Sequence, residues 1–406
     1  WAKIGLLSFG GPAAQIALMH REIVAQRGWL SEQQFTNALS FCMLLPGPEA
    51  MQLAAYSGWR LHGLRGGLLA GSLFILPGAL VMLTLAIGYV YFGAIGWVES
   101  LFTGLKAGIS VIVLQALIKL AKRGLTHFMD WLIAIAGFVG IFFANVPFPL
   151  IIASAAFFGF FASQQSNDQR SFVSLPNMRN SCLTLMQWVA LWWIPIFVID
   201  LIFDDDQLAA IGYFFGQLAV VSFGGAYAAL TYISQDVVGH LGWLQPGTMI
   251  DGLGLAESTP GPLILVTEFV GFITAFNLGG LIYGIAGALV ALWATFIPCF
   301  LWIFVGAPYI EWLTNQPRLR GALAAIMAAV VGVIANLFIW FLLNILFAEI
   351  ATERYGPVSI VVPDVTTVNL KIIAIAAICS VLTFWHQARL FTILATSGAF
   401  GLIFCG

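Results

Sequence analysis

Ser8-Phe9-Gly10-Gly11, Gly28-Trp29-Leu30 and Pro46-Gly47-Pro48 return 214 residues further on, in the same order and spacing. The second set is Ser222-Phe223-Gly224-Gly225, Gly242-Trp243-Leu244 and Pro260-Gly261-Pro262. Between residues 8–48 and 222–262, thirteen of 41 positions are identical without a gap, and Glu22 is matched by Asp236. Chance likeness between greasy helices pairs Leu with Leu. Trp, Pro and paired Gly in register indicate a duplicated unit, and each copy is interrupted by Gly and Pro at the same places.

The 406 residues are 61% hydrophobic and 8% charged, with a mean hydropathy of +0.97. A water-soluble core cannot hide that much apolar surface, and several windows reach the roughly 20 residues needed to span a bilayer. The chain reads as an all-α polytopic membrane protein with the lipid bilayer as its partner; the alternating strands of a membrane barrel are absent. Nothing points to nucleic acid. The five cysteines are scattered singly, without C-x-x-C spacing, and no two histidines share a helix face at i, i+4, so neither a disulfide framework nor a metal is expected. No phosphate-binding Gly-Lys-Ser/Thr loop occurs, which excludes ATP as the driving source and leaves no cofactor to assign. Because the chain opens at Trp1, further residues are expected upstream.

Six apolar segments in the first half match six in the second in order and kind, with 184–203 left over as a connector. The expected organisation is a first repeat at 1–164, a linker with a connecting helix at 165–208 and a second repeat at 209–406. In each repeat the first two segments (4–19 and 38–58; 209–232 and 252–275) carry Gly-Gly or Pro-Gly-Pro. Pro removes a backbone donor and disfavours helix in the residue before it, so these segments should be broken into half-helices. About four spanning helices complete each repeat.

Loop charge bears on whether the broken segments cross. If they are re-entrant, one face receives Arg21, Arg27, Arg60, Arg65, Lys119, Lys122, Arg123, Arg170, Arg179, Arg318, Arg320 and Arg389. The other receives Arg354 and Lys371, together with Asp204, Asp205, Asp206, Asp236 and Asp251. Letting the Gly-Gly segments span would degrade this bias, so the re-entrant topology is preferred, with the loops of Arg21, Arg60, Lys122, Arg170 and Arg318 cytoplasmic. Five crossings then separate corresponding points, which inverts the second repeat. Such repeats place a substrate site near the midplane, where discontinuous helices meet.

Ser8-Phe9-Gly10-Gly11-Pro12, Trp29-Leu30-Ser31 and Leu45-Pro46-Gly47-Pro48-Glu49, with Gln52-Leu53-Ala54 and Gly66-Gly67, resemble the chromate ion transporter family in its long two-domain form. So do Phe223-Gly224-Gly225 and Thr259-Pro260-Gly261-Pro262-Leu263 of the second half. The resemblance covers essentially the whole chain. It implies an inner-membrane secondary transporter that expels chromate by proton motive force or anion exchange, with sulfate as a look-alike ligand and halves of opposite orientation. Ala226 stands where the first copy has Pro12, so the copies are not equivalent. A homodimer is among the oligomeric states open to such a chain.

A tetrahedral dianion must exchange its hydration for protein donors. Helix N-termini beyond Pro46, Pro48, Pro260 and Pro262 offer free N–H groups, each interaction worth roughly 0.3–1 kcal/mol. Gly47 and Gly261 allow close approach to the backbone. Gly10, Gly11, Gly224 and Gly225 could form the facing wall, with Ser8, Ser222 and Thr259 as hydroxyls and Gln15 and Gln52 as amide donors. The alternative is that these small residues only let helices pack closely.

Ionisable groups at membrane depth cost roughly 2.5–3.5 kcal/mol on insertion scales and default to functional roles. Glu257 and Glu268 bracket Pro260-Gly261-Pro262, and Glu49 follows the first break. A carboxylate beside an anion site repels substrate when ionised and admits it when protonated, so Glu257, then Glu49, and Glu268 are candidates for proton coupling. Glu49 and Glu268 could instead cap half-helices. Lys106 could attract the anion or merely snorkel to the interface, and Arg60 and Arg65 could gather anions or simply mark topology. Two further functions stay open: a sulfate or other inorganic anion transporter or channel, and an intramembrane enzyme using Glu257 and Glu268. No Ser or His stands at catalytic spacing inside a segment, which speaks against the enzyme.

Overall fold

A computed structural model of the chain describes residues 1–162, 178–202, 206–310, 312, 316–355 and 358–405; Arg170, Asp204 and Asp205 lie outside them. Helix α1 (Ala2–Leu7) is followed by α2 (Gly11–His20), with Pro12 in its first turn, where a missing N–H costs nothing. Helix α2 runs into a π-helical stretch, Arg21–Gln26, and α10 (Ala226–Ile233) runs into its counterpart, Ser234–His240. Helices α3 (Glu32–Cys42) and α11 (Pro246–Ser258) begin at corresponding residues by different means. The first start is fixed by a Ser31–Gln34 capping box and the second by Pro at the first helical position.

The described residues contain ten glycines with positive φ, and they fall at matching places in the two copies. Gly10, Gly11, Gly28, Gly47 and Gly63 answer to Gly224, Gly225, Gly242, Gly261 and Gly280. The last pair marks a sharp reversal. Helix α4 (Glu49–Phe92) leaves helical geometry at His62 and Gly63, and α12 (Val266–Gly306) does so at Gly280. Beyond each point the chain returns along itself. A Cβ on Gly58 would overlap the Gly66 carbonyl, one on Gly67 would stand 3.0 Å from the Ala55 carbonyl oxygen, and Gly271 meets Gly287 in the same way. Each element is therefore an antiparallel hairpin. Its first arm, residues 49–61 in α4, rises roughly 20 Å, short of the roughly 30 Å hydrocarbon core that the second arm is long enough to cross.

Further along come α5 (Gly96–Gly124), α6 (Phe128–Ala144), α7 (Phe148–Ala162), α8 (Met178–Ile202) and α9 (Asp206–Val221). After α12 come α13 (Pro317–Leu346), α14 (Leu370–Phe384) and α15 (Leu390–Cys405). Among the described residues five helical stretches are long and apolar enough to cross a membrane: Glu49–Phe92, Gly96–Gly124, Ser181–Ile202, Leu263–Tyr309 and Pro317–Leu346. Large apolar side chains stay on the outside, Leu201 at 86% exposure and Ile282 at 84%, as a hydrocarbon solvent permits. The chain is thus a polytopic, predominantly helical membrane protein. One element was not anticipated: an antiparallel hairpin of β1 (Ile350–Tyr355) and β2 (Val358–Pro363), registered Ile350 to Pro363 and Tyr355 to Val358.

The helices gather into two compact units, each drawing on both sequence halves. The first comprises Trp1–Ala86, Gly159–Ala229 and Thr259–Leu323; the second comprises Ile87–Phe158, Leu230–Ser258 and Ala324–Gly406. In the first, α12 packs on α8 and α9, pinned by indole N–H groups of Trp192 to the Ala294 carbonyl (3.1 Å) and of Trp293 to the Trp192 carbonyl (3.2 Å). In the second, α14 and α15 pack on α5. Gly104 and Gly108 lie against Ser397 and Gly401 so closely that a Cβ at Gly104 would strike the Ser397 carbonyl. Small residues four apart bring membrane helices into van der Waals contact where no hydrophobic force acts between them.

Candidate functional site

The site is built from four chain breaks, all in the first unit. Ser8 and Ser222 end their helices, and each is followed by a Gly-Gly turn with φ of 88° and 76° at Gly10 and Gly11 and 82° and 88° at Gly224 and Gly225. Gly47 and Gly261 turn the Pro-Gly-Pro breaks with φ of 111° and 92°, a region an L side chain rarely enters. Breaking a helix in lipid frees backbone groups that have no water to pair with, so each turn needs a partner.

The partners are exchanged between the copies. The Gly261 N–H donates to the Ser8 carbonyl at 2.8 Å, and the Gly47 N–H donates to the Ser222 carbonyl at 2.9 Å. Ser8 corresponds to Ser222 and Gly47 to Gly261, so these are one bond made twice. The second arms repeat the exchange. A Cβ on Gly78 would overlap the Pro260 carbonyl oxygen, and one on Gly47 would stand 3.0 Å from Cys299 Sγ. Gly78 follows Pro77 in α4, just as Cys299 follows Pro298 in α12. Each Pro-Gly-Pro turn thus rests on the Gly-Gly turn and the proline-bearing arm of the other copy.

Two side-chain clamps come from the first copy. Gln15 Nε2 donates to the Gly261 carbonyl at 2.6 Å and more weakly to the Ser8 carbonyl at 3.3 Å; Gln52 Nε2 donates to the Pro46 carbonyl at 2.6 Å. Their counterparts are Ala229 and Val266. Gln15 and Gln52, expected as donors to an anion, spend amide hydrogens on the turns, one on each Pro-Gly-Pro. Ser8 and Ser222 are buried, with hydroxyls donating to the Ile4 carbonyl (2.5 Å) and the Ala219 carbonyl (3.5 Å). Thr259, Pro260, Gly261 and Pro262 are buried, as are Pro46, Gly47 and Pro48, whereas Gly10 is exposed. Helices α2, α4 and α10 start directly beyond the turns, and their first-turn N–H groups have no intrahelical acceptors. The N–H groups of Gly47 and Gly261 and the two glutamine amides are engaged within the turns.

Of the carboxylates, Glu49 is half-buried at the start of α4, and Glu268 lies on the first arm of α12 at 1% exposure, its Oε2 without a hydrogen-bond partner among the described residues. Glu257, also buried, belongs to the second unit on α11. Arg60 and Arg65 are exposed on either side of the His62–Gly63 reversal.

Lys106 belongs to the second unit too. Helix α5 begins at Gly96, so Lys106 is ten residues, about 15 Å, inside it. Glu99 stands in the first turn of the same helix. The Lys106 Nζ lies 3.2 Å from Asp251 Oδ1, and the Tyr89 hydroxyl donates to Asp251 Oδ2 at 3.0 Å. Asp251 and Tyr89 were missed as site residues. The signal was an aspartate in the stretch 233–251, which lacks Lys and Arg and was read only for topology.

In the π-helical stretch that follows α2, Glu22 is ion-paired to Lys3 at 2.7 Å, with Arg27 at 3.9 Å. The Lys3 hydrogen bond holds its carboxyl below the usual carboxylate range. Its counterpart Asp236 pairs with His240 at 2.5 Å.

Residues 1–160 and 209–402 match the family described as Chromate transporter. The chain is 30% identical over 341 residues to the probable chromate transport protein of Synechococcus elongatus, covering 82% of this chain and 81% of that one. It is 28% identical over 343 residues to the chromate transport protein of Cupriavidus metallidurans (82% and 79%) and 30% over 335 residues to that of Pseudomonas aeruginosa (82% and 77%). No solved structure matches the chain.

Proposed function

The chain belongs to the chromate transporter family and is a multi-pass inner-membrane anion transport protein rather than an enzyme, and on that premise we propose that it moves chromate outward by secondary active transport, coupled to proton motive force or anion exchange. Three relatives carry chromate transport in their names, which supports chromate as cargo; sulfate, of the same charge and shape, is the competing ligand. The observation that carries the reading is the exchanged pair of turn bonds, Gly261 to Ser8 and Gly47 to Ser222. Two copies joined at matching breaks are what inverted repeats with re-entrant hairpins would produce, and the short first arms of α4 and α12 fit hairpins that stop partway into the bilayer. In this reading the repeats run 1–164 and 209–406, and the Arg-rich loops are cytoplasmic.

The anion is met by first-turn N–H groups of the helices leaving the turns, with the positive helix ends replacing its hydration. Glu268, Glu49 and Glu257 are the proton-coupling carboxylates, and the unpartnered Oε2 of Glu268 gives it particular support. Arg60 and Arg65, both exposed, gather anions before entry.

The test is radiolabelled chromate and sulfate flux in proteoliposomes under an imposed pH gradient. Saturable chromate movement that sulfate inhibits and that collapse of the gradient stops is expected. Flux of neither anion overturns the cargo, and flux indifferent to the gradient overturns proton coupling in favour of anion exchange.

A further inference from the structure

Lys106 carries a positive charge about 15 Å into a membrane helix, to a place that packing alone does not explain. Around it the second unit builds a receptor for two oxygens. The ammonium stands 3.2 Å from Asp251 Oδ1, and the Tyr89 hydroxyl, which also bonds Thr248, donates to Asp251 Oδ2 at 3.0 Å. The Asp251 carboxylate lies in this receptor as an anion would.

Three features show that the carboxylate is loosely held. Oδ1 is buried and meets the Lys106 ammonium at 3.2 Å, with no second donor on it among the described residues. Gly247, in the first turn of α11, faces the ammonium with open space. A Cβ there would have only Nζ within 4 Å, at 3.8 Å. The Lys106 side chain keeps 23% exposure against 8% for Asp251, so the cation is the more accessible partner. Meanwhile α11 also meets α5 one turn further on, where the Ile109 side chain seats against Gly254, a Cβ there standing 2.6 Å from Ile109 Cδ1. This contact does not depend on the ion pair.

We propose that Lys106 and Tyr89 form a second station for a tetrahedral oxyanion, occupied at rest by Asp251 and vacated when Asp251 takes up a proton. This rests on the oxyanion-transport reading above. The proton neutralises the carboxylate, and the substrate's oxygens replace it against the ammonium and the phenol, so the lysine is not left bare. Proton and anion binding thereby favour each other at this station. The other charged groups on the elements packed here are Glu99 on α5, with Lys119, Lys122 and Arg123 towards its far end, Glu257 on α11, the mutually paired Asp236 and His240 of the π-helical stretch, and Lys371, which is exposed at the start of α14.

The experiment measures the concentration dependence of chromate and sulfate flux by the full chain in proteoliposomes, at acidic and alkaline pH. Lys106→Gln is expected to raise the half-saturating concentration about tenfold or more. Asp251→Asn is expected to bring the alkaline half-saturating concentration down towards the acidic one, reducing its pH dependence. The exchange Lys106→Asp with Asp251→Lys keeps an ion pair between α5 and α11. If the exchanged protein folds but does not recover wild-type half-saturation, the station stands. Full recovery of wild-type half-saturation and pH profile reduces the pair to a tether and overturns it, as does an unchanged pH profile in Asp251→Asn. Wild-type protein that moves neither anion overturns the cargo reading together with the station.

Discussion

The exchanged turns of the first unit and the Lys106–Asp251 pair of the second join membrane segments by opposite means. The turns use neutral backbone groups, N–H to C=O at 2.8 and 2.9 Å, buried and reinforced by two glutamine amides. The pair uses full charges, partly exposed, and one carboxylate oxygen has no donor but the ammonium among the described residues. A buried backbone bond has no better partner to move to, because breaking it leaves two polar groups unmet. An ion pair can be broken without that penalty whenever a proton or another anion takes over one side. The first arrangement is suited to fixing geometry and the second to changing state.

Substitutions can break or sharpen this contrast. The largest effect is expected at Gly78, where Gly78→Leu would drive a side chain into the Pro260 carbonyl. The overpacking should cost at least about 3 kcal/mol and abolish both monodisperse protein in size-exclusion chromatography and transport. Lys106→Met alone leaves Asp251 without its cation and should cost about 2 kcal/mol, reduced from a fully buried pair by the exposure of the lysine. The double change with Asp251→Leu should melt at a higher temperature than that single variant, whereas no such recovery is available among the turns.

Gln15→Leu should lower stability by about 1–3 kcal/mol, because two buried carbonyls lose a donor. Gln52→Leu should lower it by only about 1 kcal/mol. It takes a donor from one carbonyl but also removes the unpartnered Oε1. Thermal melts in detergent compare the two, and equal losses would contradict the asymmetry of the clamps.

The smallest effect is a pH dependence at Glu22. Lys3 holds its carboxyl below the usual range, so the stabilisation is present at neutral pH and is lost on acidification through that lowered value. Below about pH 5 the melting temperature of the wild type should fall more steeply than that of Glu22→Gln.

The family and the positions of the chain breaks were legible in the sequence, because Gly-Gly and Pro-Gly-Pro act locally: Gly47 and Gly261 must turn wherever they lie. The exchange of partners was not legible. A bond from the Gly261 N–H to the Ser8 carbonyl involves backbone groups that every residue carries, and nothing in residue identity says which N–H meets which carbonyl across the chain. For the same reason Gln15 and Gln52 were recognised as buried polar groups without their acceptors being known. The reversals at Gly63 and Gly280 were seen only as short gaps between apolar segments, since one left-handed glycine in a greasy run leaves little pattern. The depth of Lys106 was not legible either, since an apolar run gives no exact helix start, and in the structure α5 takes in the charged Glu99 in its first turn. The hairpin at 350–363 escaped notice because two six-residue strands are short beside the apolar runs around them.

The exchange of turns also bears on how the protein is made. Gly261 leaves the ribosome about 250 residues after Ser8, so at translation speeds of 5–20 residues per second the early turn waits roughly 13–50 s for its acceptor to be used. During that interval the first half resides in or beside the translocon with the Gly47 N–H unmatched and the Ser8 carbonyl met only by the longer bond from Gln15. Insertion machinery or lipid-headgroup water must shelter them until the second half arrives, which makes biogenesis of this chain a single commitment rather than two successive ones.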